Sequence, residues 1–308
     1  MQGLPLAKEY FFTHGLPMIR DSFKNIANRV AAGLVGPGSE CYGFDDSLSR
    51  DHDWGPGFCL WLPREDLEKY GAELHAAYRK LPESFAGYGP RRVSPGEEGR
   101  MGPMSIAGFY VRYTGLKHTP RTVQEWLRVP EQNLSVCTNG SVFHDPAGDF
   151  TAWRQHLLDY YPEDIRRKKI ASRCMTMAQT GQYNLGRSLK RDEPFASRYA
   201  EMQFCQDLMM MIFHINRRYA PFYKWLHRAT RALPVLGQVV HEQIIRLLDT
   251  PDRDAKVAII EALCGMVIEE LQRQGLSDSG SDFLLDHGPI VQAGIRDSEL
   301  RNHFSVFN

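Results

Sequence analysis

Apolar positions in the first third of the chain fall into two kinds of run. Leu6, Tyr10, Phe11, Ile19, Phe23 and Ile26 recur at helical intervals across Gly15-Leu16-Pro17 and predict an opening helical stretch. Val30–Val35 and Phe58–Leu62 are short and uninterrupted, the first halted by Gly36-Pro37-Gly38 and the second by Pro63. Buried strands that end in tight turns look like this. Arg64–Leu81 returns to the helical period, with Leu67, Tyr70, Leu74, Ala77 and Leu81 on one face. Residues 82–104 carry Gly87, Gly89, Pro90, Pro95, Gly96, Gly99, Gly102 and Pro103 and no period, which predicts a functional or mobile loop. Ile106–Tyr113 fits a strand or a short helix. Ser141–Asp145 fits a strand, with Asn139-Gly140 before it as a hairpin turn signal.

From about Thr151 the pattern is helical throughout, over 151–160, 163–187, 195–218, 222–232, 237–249 and 253–274. Pro162, Pro194, Pro221 and Pro251 stand where helices open, and Gly275 where one ends. Met202, Met209, Met210 and Met211 read as core filling, and Tyr160-Tyr161 as packing aromatics. The tail 276–308 is less periodic, with 278–282 as a surface loop. The fold class expected is α+β: a small mixed-sheet domain over 1–150, then an all-helical domain over 151–308.

Composition narrows this picture. The 308 residues carry 37 basic and 37 acidic side chains, and 43% are hydrophobic, which excludes wholesale disorder. Zero net charge argues against a protein built to coat nucleic acid or an anionic membrane, and leaves a local basic groove open. No apolar run reaches the roughly 18 residues of a membrane span. The first residues lack the basic start and apolar core of a secretory signal. Six scattered cysteines (Cys41, Cys59, Cys137, Cys174, Cys205, Cys264) without a Cys-x-x-Cys pair predict reduced thiols and a cytoplasmic protein.

Chemistry concentrates in residues 36–57, GPGSECYGFDDSLSRDHDWGPG. Gly38-Ser39 follows a buried strand, so free amides and a hydroxyl can meet phosphate oxygens where a helix begins. Asp51 and Asp53 lie one residue apart and lead into the next strand. In an extended chain they share a face, and two converging carboxylates call for a cation, Mg²⁺ by oxygen hardness. A turn-rich acidic surface loop is the plain alternative.

Strand, Gly-Ser, spacer, Asp-x-Asp and strand together resemble the nucleotidyltransferase superfamily that includes DNA polymerase β and the aminoglycoside nucleotidyltransferases. More narrowly, the stretch resembles the DUF4037 proteins, as do Gly140–Asp145, Gly181-Gln-Tyr-Asn184 and Asn216–Trp225; the resemblance spans about 1–235. It implies that Asp51 and Asp53 hold divalent ions (Mg²⁺ or Mn²⁺), and that Gly38 and Ser39 cradle the triphosphate of an NTP. A nucleoside monophosphate would then pass to an acceptor with release of pyrophosphate. Active members carry a third carboxylate on a later strand. Asp145 is the candidate, with Glu97, Glu98 and Asp149 behind it; Asp145 reads equally as a turn residue before Pro146.

The resemblance also implies a nucleotide-phosphate contact for Lys224. Tyr183, Asn184, Arg187 and Arg191 make a polar, cationic helix stripe that is either nucleotide-binding, with Tyr183 and Arg187 foremost, or merely solvated. Asp45 and Asp46 are expected to orient Ser39 or bind the acceptor, or else to pair with Arg50. His52, between the two acids, is expected on the opposite strand face in a core hydrogen bond. The helical domain is expected to complete a cleft for NTP and acceptor, the latter a small molecule or protein in preference to an RNA end. The rival expectation is a catalytically weak nucleotide-binding regulator, or a partner-binding protein of the toxin–antitoxin type.

Overall fold

Both uninterrupted apolar runs are strands, and they are apolar throughout because the sheet they build is covered on both faces. The computed structural model describes residues 1–94 and 99–302. In it β1 (Ala31–Leu34) and β2 (Cys59–Leu62) are antiparallel, with Ala31 opposite Trp61 and Gly33 opposite Cys59. β3 (Gly102–Ser105) joins β2 in parallel, and β4 (Ser141–His144) joins β1 antiparallel. The result is a mixed four-stranded sheet in the order β3-β2-β1-β4.

Alternation along the strands divides their side chains between two helical layers. On one face, Ala32, Leu60 and Leu62 belong to one cluster with Phe11, Ile19, Ile26 and Leu74. These come from α1 (Gly3–Tyr10), a π-helical turn (Phe11–Gly15), α2 (Leu16–Ser22), the turn beyond it and α4 (Arg64–Arg79). Gly15-Leu16-Pro17 does not break this helix. Gly15 and Leu16 keep right-handed helical angles, Pro17 follows closely on the π-helical turn, where the regular hydrogen-bond ladder is already interrupted, and a Cβ on Gly15 would stand 2.5 Å from the Phe58 ring. On the other face, Trp61 stacks on Phe150 at 3.8 Å, and Tyr110 stacks on Trp153 at 4.5 Å. Those partners lie on α5 (Ile106–Thr114) and α8 (Asp149–Leu158).

One open choice is settled, and three features depart from the pattern. Ile106–Thr114 is the helix of its two options, opened by the Ser105 hydroxyl accepting from the Gly108 amide at 2.9 Å. The glycine-rich stretch ends in a strand, β3, too short to show alternation. Residues 114–140, to which no element was assigned, hold α6 (Val123–Arg128), opened by a Thr122–Glu125 capping box, and α7 (Glu131–Thr138). Asn139-Gly140 also makes no hairpin, since β4 pairs with β1, more than a hundred residues earlier. The Asn139 amide donates to the Gly36 carbonyl at 2.7 Å and its oxygen accepts from the Gly36 amide at 3.1 Å. Gly140, at φ 61°, passes so close that a Cβ would stand 1.9 Å from the Leu34 oxygen.

Chain contacts divide the protein into Met1–Asp159 and Tyr160–Asn308. The boundary falls after α8 and not at residue 150, because Phe150 and Trp153 tie that helix to the sheet.

The second unit is helical, as expected. Its elements are α9 (Glu163–Met177), a π-helical stretch (Ala178–Leu185), α10 (Gly186–Lys190), α11 (Pro194–Ile215), α12 (Tyr223–Thr230), α13 (Gly237–Asp249), α14 (Arg253–Arg273), α15 (His287–Ala293) and α16 (Ser298–Asn302). Its core gathers Cys174, Met177, Phe204, Leu208, Met211, Ile212, Ile260, Leu263 and Val267. Of the four methionines, Met209 and Met211 are buried, whereas Met202 is exposed. All six cysteines are free and buried. No helix among the described residues is long and apolar enough to cross a membrane.

Candidate functional site

β1 delivers the chain to Gly38, and Ser39 opens a single helical turn, α3 (Ser39–Tyr42), closed by Gly43 at φ 68°. Gly38 lets two side chains close over the bend: a Cβ there would stand 2.8 Å from Glu40 Oε2 and 2.9 Å from Arg100 Nη2, so either would have to shift. Glu40 is buried and ion-paired to Arg91.

The second half of the motif is not an extended chain. Residues 51–58 contain no strand, because Gly55, Pro56 and Gly57 delay β2 to Cys59. Asp51 is right-handed (φ −69°, ψ −36°) and Asp53 is left-handed (φ 51°). The shared strand face expected of this pair is therefore absent, and the two carboxylates meet different surroundings. Asp51 is 66% exposed, and its Oδ1 accepts from the His52 amide at 2.9 Å and lies 2.8 Å from His52 Nδ1. His52 is exposed with it instead of turning to the core.

Asp53 is mostly buried. Its amide donates to the Arg92 carbonyl at 2.7 Å, its Oδ1 accepts from the Ser94 amide at 3.0 Å, and its Oδ2 lies 3.9 Å from Arg100 Nη1. Burial works to raise the Asp53 carboxyl. The Ser94 hydrogen bonds and the Arg100 and Arg91 charges outweigh it and hold the group below its ordinary value. The segment 89–94 thus folds back onto the motif. Gly55 admits it, since a Cβ there would meet the Arg91 backbone at 3.2 Å.

Asp45 is buried and structural: Oδ2 accepts from the Gly3 amide at 2.7 Å and from the Trp54 indole at 2.9 Å. Asp46 closes the next turn, accepting from the Leu48 and Ser49 amides. Arg50 lies over the Trp54 ring, 4.9 Å from its centroid.

Asp145 has the turn role of its two readings. Its oxygens accept from the Gly148 amide at 3.1 Å and the Thr151 amide at 2.7 Å, fixing the entry to α8. Asp149 lies in the first turn of that helix. Glu97 and Glu98 lie outside the described residues.

Tyr183, Arg187 and Lys224 belong to the helical unit. The Arg187 guanidinium lies 4.8 Å from the Tyr183 ring centroid, and that ring lines a cavity of 390 Å³ with Met175, Gln179, Phe283 and Leu285. This mainly apolar lining suits no triphosphate. Lys224 stands on α12, 4.9 Å above the Trp225 ring. Lys224 is not among the residues that line the cavity at Tyr183.

The sequence reading missed Arg91, Ser94 and Arg100. All three sit in the glycine-rich loop, whose length signalled function without saying which side chains turn inward.

The acids bear on whether a divalent ion suits this place. Both supply hard oxygens, and Asp51 is open to solvent. No group of three His, Cys, Asp or Glu gathers among the described residues to hold a metal. Asp53 already engages Ser94 and Arg100, so a divalent ion held here would have Asp51 as its one open carboxylate and would draw its remaining ligands from substrate phosphates and water.

A family model described as a domain of unknown function, DUF4037, matches residues 126–226. The match covers Asp145, Tyr183, Arg187 and Lys224, and leaves Gly38–Asp53 outside. Among solved structures the chain is similar to a nucleotidyltransferase-like protein from Exiguobacterium sibiricum 255-15, at 12% identity and a TM-score of 0.36, over 85% of this chain and 76% of that one. Comparison with curated proteins gives no match.

Proposed function

We propose, for a chain that carries a DUF4037 domain across residues 126–226, that the amino-terminal unit is a nucleotidyltransferase. It moves a nucleoside monophosphate from an NTP to an acceptor hydroxyl or phosphate. The observation that carries this reading is the meeting of Gly38, Asp53 and Arg100: a tight backbone bend, a carboxylate and a guanidinium within one small volume.

In this reading the Gly38-Ser39 bend and Arg100 receive the triphosphate. Arg100 exchanges Asp53 for phosphate oxygens, which it binds with better geometry than a carboxylate 3.9 Å away. That exchange frees an Asp53 oxygen, and Asp51 already offers one to solvent. Asp51 and Asp53 would together hold the divalent ion, which supplies charge neutralisation on the phosphates. An acceptor oxygen then bonds to the α-phosphorus as the α–β bridging bond breaks. Pyrophosphate leaves, and the acceptor proton passes to solvent.

Incubation with α-labelled ATP, GTP, CTP or UTP, Mg²⁺ and cell extract tests the proposal. Wild type labels an acceptor, and Asp53→Asn and Asp51→Asn each lower the rate by about 100-fold or more. Undiminished labelling by both variants would sink it. A second reading, nucleotide binding without turnover, is favoured by the engagement of both Asp145 oxygens in the α8 turn. Its signature is NTP retained by wild type with no label transferred to any acceptor.

A further inference from the structure

The chain is neutral overall, but its charges are not evenly spread. Between Asp207 and Glu242 there is no acidic residue, while Arg217, Arg218, Lys224, Arg228 and Arg231 all fall in that interval. Lys224, Arg228 and Arg231 recur at i, i+4 and i+7, which places them along one helical stripe. Like charges at that spacing destabilise a helix by a few tenths of a kcal/mol each, and the first turn of α12 carries no acid to offset them.

Aromatic rings stand beside the stripe. Tyr223 is 77% and Phe222 44% exposed, with ring centroids 4.3 Å apart. Large exposed aromatics are wasteful on a purely solvated helix. Arg217 pairs with Glu163 at 2.8 Å, whereas Arg218 and Lys224 make no ion pair among the described residues.

The platform is fixed from below. The Asn216 amide donates to the Ile212 and Val235 carbonyls at 2.8 and 2.9 Å, and its oxygen accepts from the Val235 amide at 2.8 Å. The Arg218 amide donates to the Phe213 carbonyl at 3.0 Å. Tyr219, Ala220, Leu226 and Thr230 are buried. The apolar side of α12 is thus already used in packing, which leaves a lipid surface little to bury. A row of cations beside paired open rings, on a rigid base, matches the requirements of a phosphate backbone with unstacked bases.

We infer that the exposed face formed by Arg218, Phe222, Tyr223, Lys224, Arg228 and Arg231 binds single-stranded nucleic acid. Phosphates lie along the cations and bases stack on Tyr223 and Phe222. This inference is independent of nucleotidyl transfer, and its test contains no NTP.

The test is fluorescence anisotropy of the full chain with a labelled 16-nucleotide single-stranded RNA of mixed sequence, the matching DNA strand, and their duplex. The expected result is single-strand binding whose affinity falls with salt at a log–log slope of about −2 to −3, for three or four phosphate contacts. Phe222→Ala/Tyr223→Ala weakens it about tenfold or more. Lys224→Gln/Arg231→Gln flattens the slope by about 1.4. Thermal melts and circular dichroism matching wild type exclude misfolding of either pair.

Comparable RNA and DNA affinities assign the face to single strands in general, and tighter RNA binding assigns it to RNA. The inference is overturned by any of three results: no binding at 50 mM salt, tighter duplex binding, or loss of both rings without effect. Ring-dependent binding to phosphatidylserine vesicles with none to the oligonucleotides would assign the face to a membrane instead.

Discussion

Asp53 joins three roles in one residue: a left-handed backbone, an anchor for Ser94 and a charge partner for Arg100. Asp and Asn tolerate that backbone better than most side chains. Its carboxyl is held below the ordinary value, so its contribution to stability is present at neutral pH and disappears as pH falls through the depressed value. Hydrogen exchange at the Ser94 amide, corrected for intrinsic rates, should accelerate on acidification below the ordinary carboxylate range. Asp53→Asn should show the fast rate already at pH 7.

His214 runs on the opposite chemistry with the same sign. It is fully buried, and desolvation, then Lys169, Arg173 and Arg166, push its pKa well below the usual value, so it stays neutral when folded. The unfolded chain takes up that proton first. Stability should therefore drop by about 1.4 kcal/mol per pH unit below the ordinary histidine value. Urea midpoints from pH 7.5 to 5 measure this, and His214→Gln should flatten the profile. At this scale the sequence told the residue types and their spacing. It could not tell that Asp51 faces water while Asp53 is enclosed, because the enclosing groups arrive from forty residues further on.

Among elements, the helices were the most legible part: α11, α13 and α14 each lie within a few residues of their periodic segments, α9 with the π-helical stretch and α10 fills 163–187, and proline stands at or just before the opening of α9, α11 and α14. β1 and β2 were legible because both of their faces are apolar. β3 and the partner of β4 were not, since a four-residue strand has almost no period and pairing is a long-range choice. Gly181-Gln-Tyr-Asn184 has a packing role inside the helical unit. A Cβ on Gly181 would press on Phe204 at 2.4 Å, and the Gln182 amide donates to Glu261 at 2.7 Å and to the Asp282 carbonyl at 3.0 Å. Gly181→Ala should cost about 1–3 kcal/mol through overpacking, read as a lowered urea midpoint. The same change at Gly140 should cost more, because there the obstacle is the Leu34 carbonyl and φ is positive.

For the whole molecule, net charge was a poor guide, since an average of zero conceals an interval of more than thirty residues without an acid. The cysteine count served better. All six thiols are buried, and burial pushes Cys59 up to about 11 and Cys205 up to about 12. Titration with a chromogenic disulfide should find no fast thiol in the native chain and six after denaturation. The strand order carries a different consequence. β1 lies between a neighbour some thirty positions downstream and another more than a hundred downstream. During synthesis, β2 can dock as soon as it clears the ribosome, while the opposite rim of β1 waits, unpaired and apolar, until Ser141 emerges. A nascent chain stalled in that interval presents a sticky open edge, so chaperone demand should peak in the span between these two moments.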